Sequence, residues 1–181
     1  MSNIFTIEKK KNKKLYNQYA DQIIKNGAKG FCASEINNEF LHYTLDNSDY
    51  LIIHLYNNTI RGFACIDVIM KPEKHIYIHL ICNIKHHNMQ TRKSSSIKYS
   101  GKHIIQHIIS LAKIKRVKYV KLNAISNVIT YYYNLGFNFD SPDLYNDTRD
   151  DLLNKLKVAQ KNKDEREIEY ILNKIVDKGQ P

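Results

Sequence analysis

The sequence predicts an α/β (α+β) fold with a helical C-terminal tail, and three observations carry that expectation. "YLIIHLYNNTIRGFACIDVIM" reads as a β-hairpin, because two β-rich runs flank the turn-prone pair Asn57 and Asn58. "HIYIHLICNI" is followed by a glycine, a helical stripe at Ile104, Ile105, Ile108, Leu111 and Ala112, and the alternating "VKYVKLNAI", which together make a βαβ unit. From Asp147 onward the chain is charged and helical, with Leu152, Leu153, Leu156 and Ala159 on one stripe and Ile168, Ile171, Leu172 and Ile175 on another.

The remaining elements follow in order. Residues 3 to 7 alternate as a short strand, and Leu15, Tyr19 and Ile23 recur every fourth residue as one helix face, which "NGAKG" ends. Ser34 begins a second helix through Ile36, Phe40 and Leu41. In the third β-rich run, alternation sends Ile76, Ile78, Leu80 and Cys82 to one face and Tyr77, His79 and Ile81 to the other. "KHHNMQTRKSSSIKYSG" has no hydrophobic period and reads as a long loop, of the kind that is functional or disordered in compact domains. Residues 127 to 135 form a short helix, "GFNF" one more strand, and Lys161 to Asp164 the joint between two tail helices.

Composition narrows the function classes. With 181 residues and 43% hydrophobic content the chain can bury a real core. Its apolar runs fall short of the ~18 residues a membrane span needs. "MSNIFTIEKKKNKK" places its charge after the apolar stretch, the wrong order for a secretory signal, so a cytoplasmic location is expected. Cys32, Cys65 and Cys82 are widely spaced without a CxxC pair, and are expected reduced and mostly buried. "KHHN" lacks supporting ligands, so no metal site is expected. The net charge of +10 favours anionic partners such as nucleic acid or a phosphorylated cofactor.

The order of elements resembles that of the GNAT superfamily of acetyl-CoA-dependent N-acetyltransferases. "IRGFACI" is similar to that family's third strand, "SIKYSGKHIIQHIISLAKIKRVKYVKL" to its pyrophosphate loop, helix and fifth strand, and "YYYNLGF" to its closing "FYxxLGF" segment. The resemblance implies a central mixed, mostly antiparallel sheet flanked by helices over residues 1–146, with 147–181 as a helical extension packed on the domain or on a dimer partner. It predicts a seventh strand after "GFNF", which "DSPDLYNDTRDDLL" leaves absent or very short.

The resemblance also assigns residues to the cofactor, acetyl-CoA or coenzyme A. Gly101 takes the place of the last glycine of the family's Q/RxxGxG/A loop, and Ser96 and Tyr99 stand where the basic or amide residue and the first glycine belong. Ser100 and the helix start would then face the pyrophosphate, with Lys98, Lys102 and Arg92 supplying charge. Leu80, Ile81, Cys82 and Asn83 correspond to the strand segment that meets the pantetheine arm, and Asn127 to the family's asparagine. Tyr132 aligns with the tyrosine that faces the cofactor sulfur, Tyr131 with its apolar partner and Tyr133 with a variable exposed site.

The chemistry needs a base for the ammonium of the acceptor and an acid for the departing thiolate. Tyr132 is the expected acid and His79, on the central strand, the expected base, with Glu73 and His75 as fallbacks. The implied activity is acetylation of a primary amine on a small molecule or a protein. Two alternatives stay open. The Ser96 and Tyr99 departures allow a catalytically degenerate GNAT-fold protein. The lysine-rich runs at 9–14 and 92–102 allow a basic nucleic-acid-binding protein, although they fall on separate elements. The apolar stripes of the tail allow a homodimer.

Overall fold

A five-stranded sheet in the order β1-β2-β3-β4-β5 organises the N-terminal part of the chain. The computed structural model describes residues 2–32, 36–84, 100–124, 129–137, 148–168 and 170–171. The chain divides into two units, Met1–Asn123 and Ala124–Pro181. In the first, β1 (Ser2–Glu8), β2 (Tyr50–Tyr56), β3 (Thr59–Ile69) and β4 (His75–Asn83) pair antiparallel in sequence order, and β5 (Tyr119–Leu122) joins β4 in parallel. The mixed, mostly antiparallel sheet is thus present.

Helices cover both faces. Helices α1 (Lys13–Phe31) and α2 (Asn38–Asn47) bury Tyr16, Ile23, Phe31, Leu41 and Leu45 against Leu51, Ile53, Phe63, Cys65, Leu80 and Cys82. The alternate residues of those strands, Ile52, Ala64, Ile66, Ile76 and Ile78, are buried on the opposite face. That is the side of α3 (Ser100–Ile114), whose Ile104, Ile105 and Ile108 are also buried and whose His107 hydrogen-bonds Thr6 of β1 at 2.9 Å. The hairpin turns where expected, on Asn57 and Asn58, with φ of 48° and 60°. Two successive positive φ values match the twist of the flanking strands.

Four expectations for the first unit need correction. First, β4 does not keep a single alternation. Cys65 pairs with Leu80 but Ile66 with Ile78, so His79 is an extra residue with no partner on β3. This β-bulge shifts the side-chain parity, turning Ile76 and Ile78 toward the α3 face and Leu80 and Cys82 toward the α1 and α2 face. Second, "NGAKG" kinks α1 without ending it: Gly27 takes φ 69° and ψ 169°, and the helix resumes to Phe31. The freed Ala28 N–H donates to Asn38 Oδ1 at 2.9 Å. Third, α2 is capped by Asn37, whose side chain accepts from Phe40 N–H at 2.8 Å, and not begun by Ser34. Fourth, Cys32 and Cys82 form a disulfide between residues 50 apart in sequence, their Cα atoms 5.1 Å apart, while Cys65 is free and buried. It fastens the end of α1 to β4, and a bridge of this kind typically contributes about 2–4 kcal/mol.

In the second unit, α4 (Ile129–Asn134) is followed by α5 (Thr148–Asn162), and residues 165–168 and 170–171 are again helical. The joint falls where expected. Lys163 takes φ 57°, and Asp164 caps the next turn by accepting from Glu167 N–H at 3.1 Å. Leu156, Ala159 and Ile171 are buried, as their stripes require. Gly136 and Phe137 close α4 in a turn and do not begin the expected "GFNF" strand; residues 138–147 lie outside the described residues, and the rest of the segment in place of a seventh strand, from Thr148, is helical. Among the described residues no helix is long and apolar enough to cross a membrane, and none of the His, Cys, Asp and Glu side chains are grouped to hold a metal ion.

Candidate functional site

The sheet opens at the point where β4 bulges. Pairing of β4 with β5 runs from His75 and Tyr119 to Ile78 and Leu122, and stops there, although β4 continues through Asn83. Residues 79–83 therefore present one backbone edge without a strand partner among the described residues. Which amides face that edge follows from the ladder on the other side. Ile84 N–H donates to Arg61 carbonyl of the neighbouring strand at 2.9 Å. Alternation then commits the Cys82 and Leu80 amides to β3 and turns the Ile81 and Asn83 N–H groups outward. Of the four strand residues expected at a cofactor, these two present donors and the other two fill the core with their side chains.

His79 stands at the mouth of this opening. Its Nε2 lies 2.9 Å from Asp67 Oδ2, and its ring packs edge-on against Tyr77 at 4.9 Å. Asp67 is itself held, because its Oδ1 accepts from Asp49 N–H at 2.7 Å. A carboxylate bonded at Nε2 favours the proton on that nitrogen and leaves Nδ1 as the lone-pair side. Asp67 was not legible as a site residue, since its partner lies 12 positions on, across a bulged ladder. The fallback bases are elsewhere: His75 Nδ1 donates to the carbonyl of Glu73 at 2.7 Å, and both sit at the start of β4, before the opening.

The helix α3 begins with Ser100 and Gly101 buried and Lys102 exposed. Its first amides have no partner within the helix, so this end can receive an anion. Ser96, Lys98, Tyr99, Arg92 and Asn127 lie outside the described residues.

Within the second unit, the "YYYNLGF" segment closes α4 with a Schellman turn. Phe137 N–H donates to the carbonyl of Tyr132 at 3.1 Å across Gly136, which takes φ 93°. The accompanying apolar contact is between the rings of Phe137 and Tyr132, 5.7 Å apart. Tyr131 also packs edge-on against Tyr132, at 5.3 Å, and is exposed, whereas Tyr132 is buried. Burial, with a smaller contribution from Tyr131, pushes the Tyr132 hydroxyl up to about 12. The side chain of Tyr133 lies outside the described set.

Neither a family model nor a curated protein sequence matches the chain. Among solved structures, it is similar to a ribosomal-protein-alanine N-acetyltransferase from Brucella melitensis biovar Abortus 2308, with a TM-score of 0.51 and 12% identity over 77% of this chain and 94% of that one. The chain has the GNAT fold. Similar too are an aminoglycoside acetyltransferase from an uncultured soil metagenomic sample (TM-score 0.49, 14% identity, 78% and 98% covered) and a probable acetyltransferase from meticillin-resistant Staphylococcus aureus (0.49, 18%, 79% and 94%). The opening between β4 and β5 begins next to Leu80 to Asn83, the segment that the resemblance in the sequence matches to a pantetheine arm.

Proposed function

We propose that the protein is an acetyl-CoA-dependent N-acetyltransferase that acetylates a primary amine by direct attack. The observation that carries this reading is the bulged segment of β4 whose outer edge has no strand partner among the described residues, with the His79 and Asp67 pair at its start and outward amides at Ile81 and Asn83. An open strand edge fits the extended, amide-bearing pantetheine arm, and the net charge of +10 fits a polyphosphorylated donor. When bound, acetyl-CoA supplies an activated thioester. Lys102, the first-turn amides of α3 and the basic loop before it, with Ser96, Lys98 and Tyr99, would hold its phosphates.

The residues of the chain then divide the work. An amine of ordinary pKa ~10.4 costs about 4.6 kcal/mol to deprotonate at pH 7. His79 takes that proton at Nδ1, directly or through water, while Asp67 steadies the imidazolium that results. The outward N–H groups of Ile81 and Asn83 stabilise the negative charge that grows on the carbonyl oxygen. The resemblance seen in the sequence makes Tyr132 the proposed donor to the leaving sulfur. With its pKa at about 12 the phenol keeps its proton at neutral pH, the state a donor requires. Transfer to a thiolate of ordinary pKa ~8.5 is uphill, so the hydroxyl would act as a hydrogen-bond donor to the sulfur.

Release of free thiol from acetyl-CoA in the presence of a panel of primary amines tests the activity, and a rate equal to the amine-free blank with every acceptor would refute it. Tyr132→Phe keeps the ring and its packing. It is expected to lower kcat by about 100-fold, the lower end for a general acid, with KM for acetyl-CoA within about twofold. Unchanged kcat would leave Tyr132 a packing residue.

A further inference from the structure

A histidine with no exposed surface sits on the α3 face of the sheet, the face of Ile52. His54 of β2 is completely buried. An imidazole so placed needs partners for both nitrogens, and it finds them on two other elements. Nε2 bonds Ser2 Oγ of β1 at 2.9 Å, and Nδ1 bonds Ser100 Oγ, the first residue of α3, at 2.5 Å. His103, one turn into the same helix, packs edge-on against its ring at 5.9 Å. Burial, and then His103, lower the pKa of His54, so the ring is neutral and bridges the two hydroxyls as one donor and one acceptor.

The neighbouring strand makes room for this bridge. Gly62 pairs with His54 on one side and with Asn83 on the other. A Cβ at Gly62 would lie 2.6 Å from Ser100 Oγ, 2.7 Å from Asn83 Oδ1 and 2.9 Å from the carbonyl oxygen of Cys82. Only a residue without a side chain lets the Ser100 hydroxyl reach the sheet beside Asn83, the last residue of the open β4 edge. The start of α3 and the end of that edge are therefore fixed to each other through β2 and β3.

We propose that His54 is a positioning residue: through Ser100 it holds the first turn of α3 at the end of the open β4 edge, so that the amides of that turn are set for the pyrophosphate of the cofactor. This rests on the acetyl-CoA reading above. Ser100 acts here by anchoring the backbone, not by touching the ligand through its hydroxyl, and the role needs neither charge on His54 nor any movement of it. The sequence concealed it, because "YLIIHLY" reads as an ordinary strand and the Ser100 partner lies 46 residues away.

Two isosteric replacements separate the two bonds. The amide of asparagine reaches the position of Nδ1 and can keep the Ser100 bond, whereas that of glutamine reaches the position of Nε2 and keeps the Ser2 bond. Coenzyme A affinity is measured by calorimetry, and melting temperature is recorded for each protein. Relative to wild type, His54→Gln is expected to bind about 10-fold more weakly and His54→Asn within about threefold. That order should hold even where the melting temperatures of the two variants agree. Equal affinities for the two variants, or affinities that follow melting temperature alone, would overturn the proposal. Should either variant fail to fold, Ser100→Ala, which deletes one hydroxyl, carries the same expected 10-fold loss, and wild-type affinity there would overturn it equally. A wild-type protein that does not bind coenzyme A refutes the acetyl-CoA reading itself, an outcome distinct from wild-type binding that the variants leave unchanged.

Discussion

Replacing His79 with alanine is expected to lower kcat/KM for amine acetylation about 100- to 10,000-fold, the range a positioned general base contributes. The expectation comes from its place in the sheet. The bulge that makes His79 the unpaired residue of β4 is also the point where β4 leaves β5, so the imidazole stands where the strand edge becomes free. Asp67, 2.9 Å from Nε2, leaves Nδ1 as the nitrogen for the proposed role. Asp67→Asn keeps a hydrogen-bonding group but withdraws the charge, and should fall between wild type and the alanine variant. An alanine variant with wild-type kcat/KM would leave His79 as a surface histidine.

Phe63→Ala is expected to destabilise the fold by about 3–5 kcal/mol, a large part of the 5–15 kcal/mol that holds a typical domain. Phe63 has no exposed surface and meets Phe31 edge-on at 5.2 Å, joining the sheet to the end of α1. It also pairs across the ladder with Cys82, whose disulfide to Cys32 anchors the same corner. Because the surrounding backbone is pinned by that bridge, the cavity cannot collapse, which places the cost toward the upper end. Denaturant titration of the two proteins measures it, and a loss below about 1 kcal/mol would mean that this core is not packed as described.

The features legible in the sequence were those written in neighbouring residues. The Asn57 and Asn58 turn, the isoleucine stripe of α3 and the "LGF" closure of α4 each depend on contacts within a few positions, and each formed as expected. The last explains the run of tyrosines. The Schellman turn draws Phe137 against Tyr132, which is buried, and leaves Tyr131 exposed beside it. One ring of the run thus acquires a fixed, dry position.

What the sequence concealed are mismatches and pairings between distant segments. The bulge at His79 is a difference in residue count between two strands, visible only when β3 is laid beside β4. The Cys32 and Cys82 bridge, the His79 and Asp67 pair and the Ser2, His54 and Ser100 chain all join residues that no local period connects. The kink at Gly27 shows the converse: a local breaker signal was present, but Asn38 satisfied the freed amide and packing carried the helix past it.

The central claim is that the open edge of β4 and the start of α3 form a coenzyme A site. Calorimetric titration of the purified protein with coenzyme A and with acetyl-CoA, against ATP at matched salt, tests it most directly. Micromolar binding of both pantetheine-bearing ligands, well above that of ATP, is the predicted result. Equal affinity for ATP and coenzyme A would reduce the interaction to attraction between phosphates and a chain of charge +10, and would contradict the claim.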